Sequence, residues 1–324
     1  MPSLKQLKKP IEGHLSEFKI LFRKTAKSRI YLLDIITNYI VKAKGKQMRP
    51  LFVIYSSLLF DEVNESSYRA ATLIELMHTA TLVHDDVVDD SMERRSRFSI
   101  NALWKNKAAV LVGDYLLSRG LLVALEHKEH QLLEIVSKAV KDMSEGELLQ
   151  IEKARKLDIS EEVYYEIIRK KTASLLASCF ACGAAAAGAS NEDIRKMHQI
   201  GEYAGMAFQI KDDLFDFQKT NIAGKPSGID IKEKKMTLPL IYLLNNSPKA
   251  ERKQMINIVK RHNNNRKKVE LLMDKVNQSG GIKFAGQKMD EYKRKALDLL
   301  MEFPDNQART ALMELVDYSI SRRK

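Results

Sequence analysis

Four carboxylates, Asp85, Asp86, Asp89 and Asp90, follow directly on the apolar run LIELMHTATLV. On a helix Asp85 and Asp89 are four residues apart and share a face, with Asp86 beside them. The polar stretch SMERRSRFS stops that helix near Ser91, so the acids fall in its last turn, at the negative end of the helix dipole. Carboxylates placed there lose about 0.3–1 kcal/mol each, and they also repel one another. A bound divalent cation reverses both penalties, and an all-oxygen donor set suits Mg²⁺. For one such cluster the bland alternative is a solvated acidic helix end.

The pattern occurs twice. In FQIKDDLFDF, Asp212, Asp213 and Asp216 repeat the D-D-x-x-D spacing, again late in an apolar helix and before a Gly-rich loop. Gln209 lies one turn earlier on the same face. Two clusters at unfavourable helix ends predict one cation site shared between facing helices. Bases stand close to both: Arg94 and Arg95 after the first, Lys225 and Lys235 after the second. Lys171-Thr172 lies in an apolar helix, and Lys46 and Arg49 lie in GKQMRP. Pro50 suits a first helical position, which would set Arg49 at a helix N-terminus where free N–H groups attract anions. Carboxylate-held Mg²⁺ with Lys and Arg describes a diphosphate cradle. A Walker A loop is excluded, because Gly224-Lys225 continues with Pro226 and lacks the preceding spaced glycine.

The elements that must position these groups read as helices. RPLFVIYSSLLF, AATLIELMHTATLVHDD, AAVLVGDYLLSRGLLVALEH, LLEIVSKAVKDMSEGELLQIEKA and EEVYYEIIRKKTASLLASCF all carry apolar residues at helical spacing. No alternating strand run or hairpin signal stands out. Breaks fall at Lys44-Gly45, at 91–99, 157–160, 189–191, 224–228 and 245–248, and at Gly280-Gly281. No linker or repeat divides the 324 residues, which predicts one all-α domain over 1–324, of about ten or more helices.

The net charge of +12 admits nucleic acid, an anionic membrane surface or phosphorylated substrates as partners. The densest basic stretches, at 266–268 and 322–324, are interleaved with Asn and acids rather than aromatics, which argues against nucleic acid. Cys179 and Cys182 form a C-x-x-C among small residues, with no second pair to complete a zinc set, and read as buried, reduced helix packing. The N-terminus shows no apolar signal region, and the uncharged run 172–191 is too weakly hydrophobic to span a membrane. A cytoplasmic location is expected.

GKQMRP, HDDVVDDSMERR, NALWKNKAAVLVGDYLLS, KTASL, FQIKDDLFD and GKPSGIDIKEKKMTLPL occur in this order between about Lys44 and Leu243. This set resembles the trans-type polyprenyl diphosphate synthases, with a long-chain, octaprenyl-like member the nearest in kind. The resemblance implies an isoprenoid synthase-like helical bundle around a central cavity, and a homodimer. It assigns Mg²⁺ to Asp85, Asp86, Asp89, Asp212, Asp213 and Asp216. Arg94, Lys171, Lys225 and Lys235 would neutralise the allylic diphosphate, with polar help from Thr172 and Gln209. Gly45, Lys46, Arg49, His78 and Arg95 would bind isopentenyl diphosphate. His78 precedes Asp85 by seven residues, about 10.5 Å along the same helix face; alone, a histidine there reads more readily as a core residue. The loop departs from the family's G-G-K-R-x-R-P, with Lys44 for the first Gly and Gln47 for the first Arg.

The implied reaction is ionisation, condensation and elimination, without a protein nucleophile. Asp85, Asp86, Asp89, Arg94, Lys171, Asp212 and Lys225 would carry it. The product would grow along the first acidic helix toward its N-terminus, past Thr81, Ala80 and Met77; the small Ala80 and Thr81 leave room for a long chain, and quinone side chains are the expected use. The alternatives are a short-chain farnesyl or geranylgeranyl synthase, a class I terpene cyclase, which carries a different second motif, and a non-catalytic subunit of a heteromeric synthase. Transient contact with an anionic membrane for product release is a further expectation.

Overall fold

Helix caps stand where the sequence breaks. Ser160, Ser190 and Asn265 each accept a bond from the N–H three residues on, and Asn64 and Ser67 form a reciprocal capping box. These contacts satisfy N–H groups that a helix start leaves without partners.

The computed structural model describes residues 2–42, 45–94, 97–157, 159–217 and 228–321. Its helices are α1 (Leu4–Lys8), α2 (Glu12–Ala26), α3 (Tyr31–Val41), α4 (Met48–Leu58), α5 (Glu65–Val88), α6 (Ile100–Glu126), α7 (His130–Lys156) and α8 (Glu161–Ile168). They continue as α9 (Ser174–Ala186), α10 (Asn191–Asp216), α11 (Ile229–Lys232), α12 (Leu238–Asn245), α13 (Lys249–Arg261), α14 (Arg266–Gln278), α15 (Gly281–Met301) and α16 (Gln307–Ser321). A π turn over Arg169–Ala173 joins α8 to α9. The all-α expectation holds, with two local corrections. A minimal antiparallel pair, β1 (Glu93–Arg94) with β2 (Arg97–Phe98), occupies a break in which no hairpin was legible; two residues per strand leave no alternation to detect. Pro50 is the third residue of α4, not the first, because Gln47 turns the chain with a left-handed backbone (φ 53°) and the helix starts at Met48.

Small side chains set the centre. The α9 segment SLLASCFACGAAA packs against α4, α5, α7 and α10. A Cβ at Gly183 would stand 2.4 Å from the Val53 carbonyl oxygen of α4, and one at Gly205 on α10 would stand 2.5 Å from Ala173 Cα. Glycine at these two places lets the backbones approach to distances that no side chain permits. Cys179 and Cys182 are free and buried in this packing, and burial pushes the Cys179 thiol up to about 12, so both act as small apolar groups. The uncharged run expected not to span a membrane is thus the core helix α9 with its flanks. Among the described residues α6 alone is long and apolar enough to cross one, and less than half of its apolar window is buried.

Two apolar cores result. One joins α2, α4, α5, α6 and α9 with the first half of α10 and with α16. The other joins α8, the end of α10, and α11, α12, α13, α14 and α15. Met289 and Tyr292 of α15 pack against both. The two acidic helices, α5 and α10, each rest on α9.

Candidate active site

At the first cluster the chain stops α5 with a left-handed residue. Asp90 has φ 50°, and the Ser91 N–H donates to the Asp86 carbonyl at 2.9 Å, a reversal that an Asp tolerates better than most side chains. The strand pair that follows turns Arg94 back, and its Nε donates to Asp86 Oδ1 at 2.7 Å. Asp86 is buried; burial raises its pKa and the Arg94 bond opposes that rise. Burial also raises Asp85, as does the nearby Glu147, while Lys171 pulls it back. Asp89 caps the helix and is exposed.

At the second cluster the acids are engaged by protein donors. Asp213, buried at the end of α10, accepts from the Tyr164 hydroxyl at 2.7 Å and from Gln209 Nε2 at 2.8 Å. Burial, then Asp230, pushes it up to about 7 against these two bonds. Thr172 Oγ1 donates to Gln209 Oε1 at 2.8 Å, which ties the π turn to the cluster. The Asp216 carboxylate accepts the N–H groups of Ile229 and Asp230 at 2.9 and 3.2 Å and holds the start of α11. Burial, then Asp216, raises Asp230 to about 6. Burial opposes the charge on Lys235, but Glu233, Asp230 and Asp89 outweigh it and raise the ammonium pKa, so Lys235 feels the first cluster as well as its own neighbours.

Three cavities surround these groups. One of about 450 Å³ runs along α5 and is lined by Glu75, His78, Thr79, Asp86 and Arg94, with Gly45 and Gln47. A second, of about 500 Å³, is lined by Gly45, Lys46, Gln47, Arg49, Glu75 and Thr172, and by Tyr318 of α16. The third, about 250 Å³, is lined by Lys171, Thr172, Gln209, Asp213, Asp230 and Lys235. The residues assigned by resemblance to isopentenyl diphosphate thus divide between two cavities that share Gly45, Gln47 and Glu75. Lys171, Thr172, Gln209 and Lys235 meet in one. Arg95, Lys225 and Lys44 lie outside the described residues. The proposed chain-length positions border none of the three cavities. Met77 and Ala80 are buried, with Met77 Cε 3.4 Å from where a Cβ on Gly120 of α6 would stand, and Thr81 Oγ1 donates to the His78 carbonyl.

Among the described residues no three His, Cys, Asp or Glu side chains converge closely enough to hold an ion. Asp86, Asp213 and Asp216 give oxygens to Arg94, Tyr164, Gln209 and the α11 amides. The donor set still fits Mg²⁺, which commonly takes only one or two carboxylates and completes its shell with water and substrate phosphate oxygens. Asp85 and Asp89 on one helix face are such a pair.

Reading the sequence alone missed Tyr164, Asp230, Glu147, Glu75 and Tyr318. Asp230 sits inside a motif quoted above, two residues before Lys232, where a carboxylate among lysines was the available signal. Tyr164 and Tyr318 reach the site from distant helices, and nothing local marks them.

A family model described as "Polyprenyl synthetase" matches residues 31–276. The chain is 34% identical over 296 residues to an octaprenyl diphosphate synthase of Escherichia coli K12, covering 91% of each. A crystal structure of a decaprenyl diphosphate synthase from Rhodobacter capsulatus superposes with a TM-score of 0.93 at 30% identity, covering 99% of this chain and 100% of that one. A polyprenyl synthase from Caulobacter crescentus CB15, complexed with calcium and isoprenyl diphosphate, superposes with a TM-score of 0.90 at 32% identity, covering 99% and 98%.

Proposed function

The chain belongs to the polyprenyl synthetase family and is a prenyltransferase, and from that premise we propose that it builds a long-chain all-trans polyprenyl diphosphate from an allylic primer and successive isopentenyl diphosphates. Synthases of this family use these two substrates and generally depend on a divalent metal. The observation that carries the reading is the place of Lys171. It lines the cavity of Asp213 and Lys235, and it is also the nearby cation that lowers the Asp85 pKa. Cations poised between two carboxylate clusters suit the charge that develops on a departing diphosphate.

In this reading Asp85 and Asp89 on α5, and Asp212 on α10, are the carboxylates that would take part in holding Mg²⁺ once the diphosphate is bound. Bound Mg²⁺ supplies Lewis-acid stabilisation of the leaving diphosphate. Lys171, Lys235 and Arg94 grip that diphosphate, with Lys225 completing the set. Asp213 and Asp216 order the site by fixing Gln209, Tyr164 and α11. Lys46, Arg49 and His78 orient isopentenyl diphosphate so that its double bond meets the allylic cation, and Arg95 joins them. The apolar cavity walls exclude water that would quench the cation. The proton lost in elimination passes to the released diphosphate. Ala80 and Thr81, small side chains along α5, are the positions where the growing product would be accommodated, and the octaprenyl and decaprenyl relatives support a long chain.

Residues 1–324 act as one domain in this proposal, in the cytoplasm, as a homodimer. The exposed Leu111, Leu122 and Leu125 on α6 support the dimer, since a helix this apolar calls for cover. Leu111→Glu with Leu122→Glu should give a monomer on sizing; an unchanged dimer refutes this interface. Transient contact of the basic surface with anionic vesicles is expected to weaken with salt.

The deciding experiment follows label from isopentenyl diphosphate with Mg²⁺ across allylic primers, with products sized by thin-layer chromatography. Long products that vanish on chelation and return with Mg²⁺ support the reading. No incorporation with any primer refutes it and favours a non-catalytic subunit.

A further inference from the structure

On α7, Gly146 and Glu147 lie against the π turn that carries Lys171. A Cβ at Gly146 would stand 2.8 Å from the Lys171 backbone nitrogen and 2.9 Å from Lys170 Cβ, so the missing side chain lets the two segments touch. That approach delivers the Glu147 carboxylate to the Lys171 ammonium, and the two form an ion pair. Gln150 Nε2 donates to Glu147 Oε1 at 3.2 Å and steadies the carboxylate. The next lysine back, Lys170, has its own partners in Glu145 at 3.0 Å and Glu166 at 3.5 Å, so the two adjacent ammonium groups answer to different acids. Of the charges around Asp85, Glu147 is the strongest that opposes its ionisation and Lys171 the strongest that favours it. Glu147 is thus a further carboxylate at the site, paired with the lysine that also acts on Asp85 of the first cluster.

We propose that Glu147 is a positioning residue that holds Lys171 beside Asp85 until a diphosphate displaces it. The proposal rests on the reading of Lys171 as a diphosphate ligand. Chemically the exchange is one anion for another on the same ammonium. A single carboxylate is a weaker partner than a diphosphate, which carries more charge and more acceptor oxygens. The pair therefore keeps Lys171 in place beside Asp85 while the site is empty, yet yields to the substrate. Because both partners are partly exposed, the contact is weak enough to be exchanged: 32% of the Lys171 side chain and 25% of the Glu147 side chain are accessible.

The test is a double-mutant cycle read by calorimetry, with inorganic pyrophosphate as the probe and the metal-free full-length chain. Glu147→Gln should tighten pyrophosphate binding by about 2- to 5-fold, the scale of a partly exposed ion pair. In a Lys171→Ala background the same substitution should give less than half of that effect, because no ammonium remains to be released. Glu147→Asp, one methylene shorter, should give an intermediate tightening, and it serves alone if the Gln variant does not fold. Equal tightening in both backgrounds would mean that Glu147 acts only through its field, and would overturn the proposal. So would unchanged affinity in a variant with wild-type thermal melting. Turnover by the wild type is measured alongside: turnover without the coupling sinks only the role of Glu147, whereas absent turnover sinks the functional reading itself.

Discussion

Replacing Tyr164 with Phe removes one hydroxyl from a buried carboxylate and should change stability in a pH-dependent way. Asp213 sits at about 7 in the fold against an ordinary 3.8. The native state therefore binds this proton more tightly than the unfolded chain does. Its contribution to stability is fully present below about pH 4 and is lost as pH rises through about 7. A gap of about three units corresponds to about 4 kcal/mol. Tyr164 donates to Asp213 at 2.7 Å, and that bond is strongest when the carboxyl is ionised. Losing it should cost about 1.5–3 kcal/mol at about pH 8.5, where the acceptor is charged, and about 0.5–1.5 kcal/mol at about pH 5.5, where it is protonated. Phe keeps the ring in place, so packing loss is small at both values. Asp230 titrates in the same range, but it is present in both proteins and its effect cancels in the comparison. Guanidinium unfolding of the metal-free protein at the two pH values, with slopes compared to confirm a common transition, measures both losses. An equal loss at the two values, or a larger one at the acidic value, would refute the argument that Tyr164 stabilises the charged carboxylate.

Ala80→Phe should shorten the product, because Ala80 is fully buried and a ring there must fill space along α5; unchanged product length on chromatography contradicts the placing of the chain. Asp85→Asn should lower kcat/KM about 100-fold or more by removing a metal oxygen. Asp216→Asn keeps an oxygen for only one of the Ile229 and Asp230 N–H groups, which donate to different carboxylate oxygens, so it should lower the melting temperature while costing clearly less activity; equal losses would mean that the two aspartates play one role. Gly205→Ala should destabilise the fold by about 1–3 kcal/mol, since the new methyl meets Ala173 Cα at 2.5 Å, and a denaturant midpoint at or above wild type would show that α9 and α10 separate freely.

By itself the sequence determined the helices, their breaks and the presence of two acidic helix ends. Helical spacing, Ser and Asn caps and D-D-x-x-D are local patterns, and each follows from interactions within one turn or two. Family and reaction class were legible for the same reason, because the motifs are short, ordered and specific. The tertiary structure decided which protein groups each carboxylate meets. Asp86, Asp213 and Asp216 look the same in sequence as Asp85, Asp89 and Asp212. Only the fold brings Arg94, Tyr164 and the α11 amides to the first three. The short β pair and the left-handed Gln47 escaped a local reading, since two-residue strands and a positive φ at glutamine carry no compositional mark. Glu147 is the clearest case. It is one acid among several on a charged helix, and it gains meaning only because Gly146 lets α7 touch the π turn and set a carboxylate on Lys171. Burial and long-range pairing assign such roles, and both depend on residues far apart in the chain.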